Sequence, residues 1–272
     1  MDSRTSFSTE LKFALPSSML DRSVNIHVFT PKDYKKLPFI HLLLVNDGQD
    51  LKPMKFIELF DDLVKQSSID PLVVVGIEAG DRIHEYGTAE ELDYLRRGSK
   101  SGQYTQFIFS ELLPELNTRL HLPKIASKGF AGFSLGGLSA LDIVWHYPHI
   151  FHTCGVFSGS LWWRKKRFDP KFPDSYRIMH ELVEKRKYTK GQRFWFQCGT
   201  EDETEDRNNN GIIDSIDDTL DLIAILKSKG YKEPEEVNYL EIDGGTHDVA
   251  TWGRAFPHFL KWAYPRKETK HI

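Results

Sequence analysis

The sequence predicts an α/β protein in which a mostly parallel central sheet carries helices on both faces. Three observations lead there. Strand candidates alternate with helix candidates along the 272 residues, the pattern of a sheet wrapped by crossover helices. The runs at 39–45 and 72–77 are almost wholly apolar, as strands covered on both faces are. A Gly-x-Ser-x-Gly motif at 132–136 separates a strand end from a run of helix formers, and sheets of this kind bind ligands at the carboxyl ends of their strands.

In chain order, residues 24–30 alternate as a half-buried strand that Pro31 ends. The apolar run at 39–45 stops at Asn46-Asp47-Gly48-Gln49. Phe56, Leu59, Phe60 and Leu63 share one face of a helix over 54–66. The run at 72–77 is the next buried strand and is followed by a polar loop at 81–86. A helix is expected over about 104–116, then a strand over 128–133 and a helix over 138–147. Residues 154–157 and 194–198 read as strands containing Cys154 and Cys198, both expected as buried small hydrophobes rather than a disulfide framework. A helix at 216–229 ending at Gly230, a strand at 236–242 and a helix bearing Trp252, Phe256, Phe259 and Leu260 complete the chain. No composition break, linker or repeat divides it, so residues 1–272 are expected to form one domain. Within it, about 160–190 reads as a lid-like insert that either roofs a pocket or packs its aromatics onto the sheet. Its basic cluster Arg164-Lys165-Lys166-Arg167 reads as a solvated face.

The serine motif carries the chemistry. A strand, one serine and then a helix form the nucleophile elbow of the α/β-hydrolase fold, where a sharp turn lifts the hydroxyl above the sheet and the flanking glycines pack too closely for side chains. Ser134 is therefore the expected nucleophile. Its base should follow a late strand, and among eleven histidines only His247 does so through a glycine-rich turn. The acid should follow the strand at 194–198, where Glu201, Asp202 and Glu203 are adjacent and the residues alone leave the choice open. Two backbone N–H groups should face the oxyanion. One is that of Leu135, directly after the serine; the other is assigned to Gln49, because Gly48 lets the chain turn its next amide inward. This chemistry needs no cofactor.

These pieces together resemble one family. Asp47-Gly48-Gln49 after a buried strand, Asp81-Arg82 with Glu85-Tyr86, the 132–137 elbow, Cys198-Gly199-Thr200-Glu201-Asp202, and Gly244-Gly245-Thr246-His247-Asp248 with Trp252 are similar to the esterase family of enterochelin esterases, feruloyl esterases of the esterase D type, S-formylglutathione hydrolases and antigen 85 mycolyltransferases. The resemblance implies the α/β-hydrolase fold and a serine carboxylic-ester hydrolase acting on a small-molecule ester through an acyl-enzyme. In feruloyl esterase relatives the acid occupies the position of Asp202, which selects it over its neighbours. The mycolyltransferases supply an oxyanion N–H from the position of Gln49. An acyltransferase using the same residues is the nearest alternative, and a non-catalytic calcium-dependent binding module the alternative from another class.

The net charge of −3 gives no case for nucleic acid as a partner. Residues 201–218 nevertheless carry eight carboxylates against Arg207, a local −7 that leaves +4 elsewhere. Within them, 206–217 has the spacing of a calcium loop: Asp206, Asn208 and Asn210 at positions one, three and five, Gly211 at six, the Ile212 carbonyl at seven and Ile213 at eight. Asp217 replaces the usual glutamate at position twelve. A structural Ca²⁺ bound by Asp206, Asn208, Asn210, Ile212 and Asp217 is expected, against a reading as a polar turn capping the next helix. No apolar run, including residues 1–5, reaches membrane-spanning length. A cytoplasmic location is expected, with removal of a signal peptide as the other route.

Overall fold

A computed structural model describes residues 6–266; residues 1–5 and the C-terminal residues including His271 lie outside it. The expected α/β-hydrolase architecture is present as an eight-stranded sheet in the order β1-β2-β4-β3-β5-β6-β7-β8. The strands are β1 (Ser8–Ser17), β2 (Arg22–Pro31), β3 (Ile40–Asn46), β4 (Leu72–Ile77), β5 (Ile125–Phe133), β6 (Thr153–Phe157), β7 (Arg193–Glu201) and β8 (Val237–Thr246). From β4 through β8 every neighbouring pair is parallel. β1 and β2 form an antiparallel hairpin, and β2 meets β4 antiparallel.

The apolar runs explain the layers. On β3, Leu42 and Leu44 enter one core while Leu43 and Val45 enter the other; Val73 and Val75 of β4 oppose Leu72 and Val74 in the same way. A strand buried on both faces must be apolar at every position, since successive side chains point oppositely. Each such side chain contributes about 1.5–3 kcal/mol by leaving water. One face is covered by α1 (Phe56–Lys65) and α8 (Val249–Ala263) through Phe56, Phe60, Phe256 and Phe259. The other is covered chiefly by α3 (Ser101–Phe107), α4 (Leu113–Leu120), α5 (Leu135–His146), α6 (Ile178–Lys185) and α7 (Asp214–Ser228).

Three expectations require correction. The helix expected at 104–116 spans Ser101 to Leu120, with a π-helical turn at Ile108–Leu112 between α3 and α4. Pro114 has no N–H to return to the preceding turn, and a wider turn there relieves the missing bond. The polar loop at 81–86 contains a short helix, α2 (Arg82–Glu85). The basic cluster is not one solvated face, because Arg164 is 7% exposed and donates to the Ser175 carbonyl. The insert is closed at its base by an isolated bridge between Arg164 and Arg177. Arg97 lies over both its indoles, 5.2 Å from Trp162 and 4.8 Å from Trp163. Cys154 and Cys198 are buried free thiols, as expected.

Candidate active site

The parallel strands put their carboxyl ends at one edge, so Asp47, Ser134, Ser158, Asp202 and His247 each follow a strand there. Ser134 joins β5 to α5 with φ 53° and ψ −121°, a conformation outside the regions L residues normally occupy. Its glycine neighbours are required by contact. A Cβ on Gly132 would lie 2.3 Å from the Gly136 carbonyl oxygen, and one on Gly136 would lie 2.5 Å from Asp47 Oδ2. The Ser134 N–H donates to the Phe157 carbonyl at 2.8 Å, and the Ser134 carbonyl accepts from Gly137, Leu138 and Ser160. The Leu135 N–H opens α5, where the first amides have no intrahelical acceptor.

Gln49 lies in a 3-10 turn, Gly48–Leu51, whose first amides are likewise free of the turn's own carbonyls. The bend is not made by Gly48. Asp47 takes the left-handed conformation at φ 58°, and Gly48 is needed because a Cβ would come 2.6 Å from the backbone of Gly76 and Ile77. Several residues outside the expected site set hold this loop. Arg82 binds the Asp47 carboxylate and also donates to the Phe133 carbonyl. Tyr86 Oη accepts the Asp47 N–H at 3.0 Å, and Tyr104 donates to Asn46 Oδ1 at 2.5 Å. Asn46 Nδ2 donates in turn to the Gly136 carbonyl at 2.8 Å. The signal for Arg82 and Tyr86 was their place in the shared motif.

The three carboxylates after β7 separate. Glu201 is exposed, and Glu203 accepts the Ser215 N–H at the start of α7. Asp202 Oδ2 accepts the Gly199 N–H at 3.0 Å, while Oδ1 is buried without a partner of good geometry. Burial raises the Asp202 pKa above its ordinary value; hydrogen bonding from Ser158 and Gly199 and the nearby His247 oppose that rise, and Asp248 adds to it. His247 keeps an exposed edge, yet its ring packs at 5.4 Å and 80° against Trp252. Partial burial is the first cause of its lowered pKa, with Asp202 and Asp248 raising it and Arg82 lowering it. The lowering favours the neutral imidazole, the form able to accept a proton. Its ring nitrogens make no hydrogen bond among the described residues, and the Ser134 hydroxyl instead contacts Ser160 Oγ at 3.3 Å. Such contacts often tighten only when substrate arrives.

The described residues 17–263 match the model of the family described as "Putative esterase". The chain belongs to this family of hydrolytic esterases. Relatives of this esterase include a Bacillus subtilis protein, YbbA, with 25% identity over 83% of this chain and 86% of that one. Among solved structures, the Shigella flexneri enterochelin esterase is similar at 22% identity and a TM-score of 0.72, over 93% of this chain and 57% of that enzyme. The chain therefore spans just over half the length of that protein, which has also been solved in the presence of enterobactin. The siderophore hydrolase EstB from Aspergillus nidulans is similar over 98% of both chains, with 19% identity and a TM-score of 0.69.

The acidic loop lies on the path from β7 to α7. Asn208 and Asn210 both donate their side-chain amides to Asp217 Oδ2 at 2.9 Å, and Asp206 accepts the N–H groups of Asn210 and Gly211. Four of the expected ligands are thus gathered at one spot, with Ile212 donating its N–H to Asn210 Oδ1. Those backbone bonds hold the Asp206 pKa below its ordinary value. The donor set is all oxygen once each amide is turned, which suits Ca²⁺. No helix among the described residues is long and apolar enough to cross a membrane.

Proposed function

We propose that the chain is a serine carboxylic-ester hydrolase for small-molecule esters. Ser134 Oγ attacks the ester carbonyl carbon as His247 takes its proton, and the N–H groups of Leu135 and Gln49 stabilise the tetrahedral oxyanion. Collapse expels the alcohol, which takes the proton from His247, and leaves an ester on Ser134. Water, deprotonated by His247, then attacks the acyl carbon and frees the acid. Asp202 orients His247 and stabilises its imidazolium. The observation carrying this reading is the strained backbone of Ser134 at the start of α5, φ 53° and ψ −121°. Natural chains keep such strain chiefly where function needs it.

The test compares wild type with Ser134→Ala on short p-nitrophenyl esters. The variant is expected to lose several orders of magnitude in kcat/KM and all labelling by a fluorophosphonate. A variant that hydrolysed at the native rate would refute the assignment. Added acceptor alcohols separate hydrolysis from acyl transfer by product.

A second reading concerns the acidic loop. Ca²⁺ held by Asp206, Asn208, Asn210, the Ile212 carbonyl and Asp217 would tie the loop carrying Asp202 to α7 and take no part in the chemistry. The convergence of Asn208 and Asn210 on Asp217 favours it.

A further inference from the structure

Ser158, directly after β6, is 1% exposed and adopts φ 45°. A left-handed serine in a buried turn is costlier than a glycine would be, so its side chain needs a reason. Its N–H donates to the Gln197 carbonyl at 2.7 Å, which joins it to β7. Its hydroxyl accepts the Trp252 indole N–H at 3.0 Å. A hydroxyl that accepts one bond still has its own proton to give.

Asp202, in the turn after the neighbouring strand β7, has one carboxylate oxygen still to be satisfied. Gly199 occupies Oδ2, and Oδ1 is buried and unpaired. Trp252 links Ser158 to the rest of the site. Its ring stacks on Phe133, next to the nucleophile, at 5.0 Å and 19°, and meets the His247 ring on another side. A single indole therefore packs against His247 and fixes one lone pair of the Ser158 hydroxyl.

We propose that Ser158 is a positioning residue for the triad acid: with one lone pair fixed by the Trp252 N–H, its hydroxyl proton is directed to the Asp202 carboxylate, fixing its rotation and favouring its charge. The proposal rests on the serine esterase reading above. Burial alone would protonate Asp202 more readily, and the Ser158 hydroxyl and Gly199 N–H act against it. The charged groups facing the pair are Asp248 on both members and Arg82 on His247. Asp248 is committed to capping α8 through the Thr251 N–H and to the Thr246 hydroxyl, so it is no substitute for the serine.

The experiment measures kcat, KM and the pH profile of kcat/KM for Ser158→Gly and Trp252→Phe on a p-nitrophenyl ester, with fluorophosphonate labelling to count competent nucleophiles. Glycine accepts φ 45° without strain, so Ser158→Gly is expected to fold. It should lose roughly ten-fold in kcat with KM little changed. The acid limb should move to higher pH by about half a unit, because the Asp202–His247 pair then keeps a proton that wild type has already released. Trp252→Phe keeps a ring against His247 but removes the donor, and should move the limb in the same direction by less. An unmoved limb in Ser158→Gly, at any kcat, overturns the proposal, and Trp252→Phe decides in the same way should the glycine variant not fold. Native-rate hydrolysis by Ser134→Ala would instead remove the esterase reading beneath it.

Discussion

Arg82 grips Asp47 with two parallel hydrogen bonds, Nε to Oδ1 at 2.8 Å and Nη2 to Oδ2 at 2.9 Å. Asp47 is 1% exposed, and its left-handed backbone makes the turn that presents Gln49. Because Arg82 also reaches the Phe133 carbonyl at 3.2 Å, one guanidinium fastens the loop after β3 to the elbow strand. Arg82→Met would leave a buried carboxylate without its counter-ion, although the Gln49 side-chain amide still donates to Oδ1 at 3.1 Å. Removing one member of a fully buried pair costs about 3–5 kcal/mol; with the Arg82 side chain 38% exposed, roughly 2–3 kcal/mol is expected here. Urea unfolding reads the loss, and Asp47→Asn, which tolerates the left-handed turn, should lose less.

The elbow makes a sharper demand. A methyl group on Gly132 would meet the carbonyl carbon and oxygen of Gly136 at 2.4 and 2.3 Å, backbone atoms that move only if the turn opens. Gly132→Ala is expected to destabilise the protein by ~3 kcal/mol or more and to abolish fluorophosphonate labelling. Gly102, on α3, is the control, since a Cβ there meets nothing within 4 Å. Gly102→Ala should stabilise by about 0.5–1 kcal/mol. Equal melting temperatures for the two variants would contradict the crowding at the elbow.

A buried histidine on α6 sets an acid limit on folding. His180 is 5% exposed and donates through Nε2 to the Asp218 carbonyl at 2.8 Å. Burial first, and then Arg177, Arg164 and Arg207, push its pKa down to about 3. The unfolded chain takes up this proton near pH 6.5 and the folded chain does not until about pH 3. Stability is therefore lost as pH falls through that interval, by up to ~1.4 kcal/mol per pH unit from this group. Urea midpoints at pH 7 and pH 5 should differ by less in His180→Gln than in wild type; equal differences would discount the histidine.

The sequence conveyed the elements that bury both faces and the residues that follow them. The runs now seen as β3 and β4 are apolar except for His41 and the terminal Asn46 of β3, and the elbow announces itself by glycines that geometry requires. The edge strand β1 was missed although Leu11, Phe13 and Leu15 alternate, because that face stays half-exposed and Leu11 is 46% exposed. Arg82 and Arg164 look solvated in sequence because their partners, Asp47 and the Ser175 carbonyl, are reached only through the tertiary fold. Ser158 and Trp252 are 94 residues apart, and no local pattern marks such a pair.

The acidic loop yields the remaining expectation. Asp217 Oδ2 already accepts two amide donors, from Asn208 and Asn210, which are the positions that would turn their oxygens to a cation. The shorter aspartate at position twelve sets a weak site, so millimolar Ca²⁺ is the relevant range. A ligand at a hundred-fold excess over Kd stabilises by about 2.7 kcal/mol, several degrees in Tm for a chain of this size. Calcium is expected to raise Tm over a chelator control, and Mg²⁺ to do so less because it resists an irregular all-protein cage. Asp217→Glu should increase the shift by restoring bidentate reach, and Asp217→Asn should remove it. A transition that Ca²⁺ leaves unmoved in wild type and in Asp217→Glu would reduce the loop to a polar turn, held by its own amides and by the Asp214 carboxylate that accepts the Arg207 N–H at 2.8 Å.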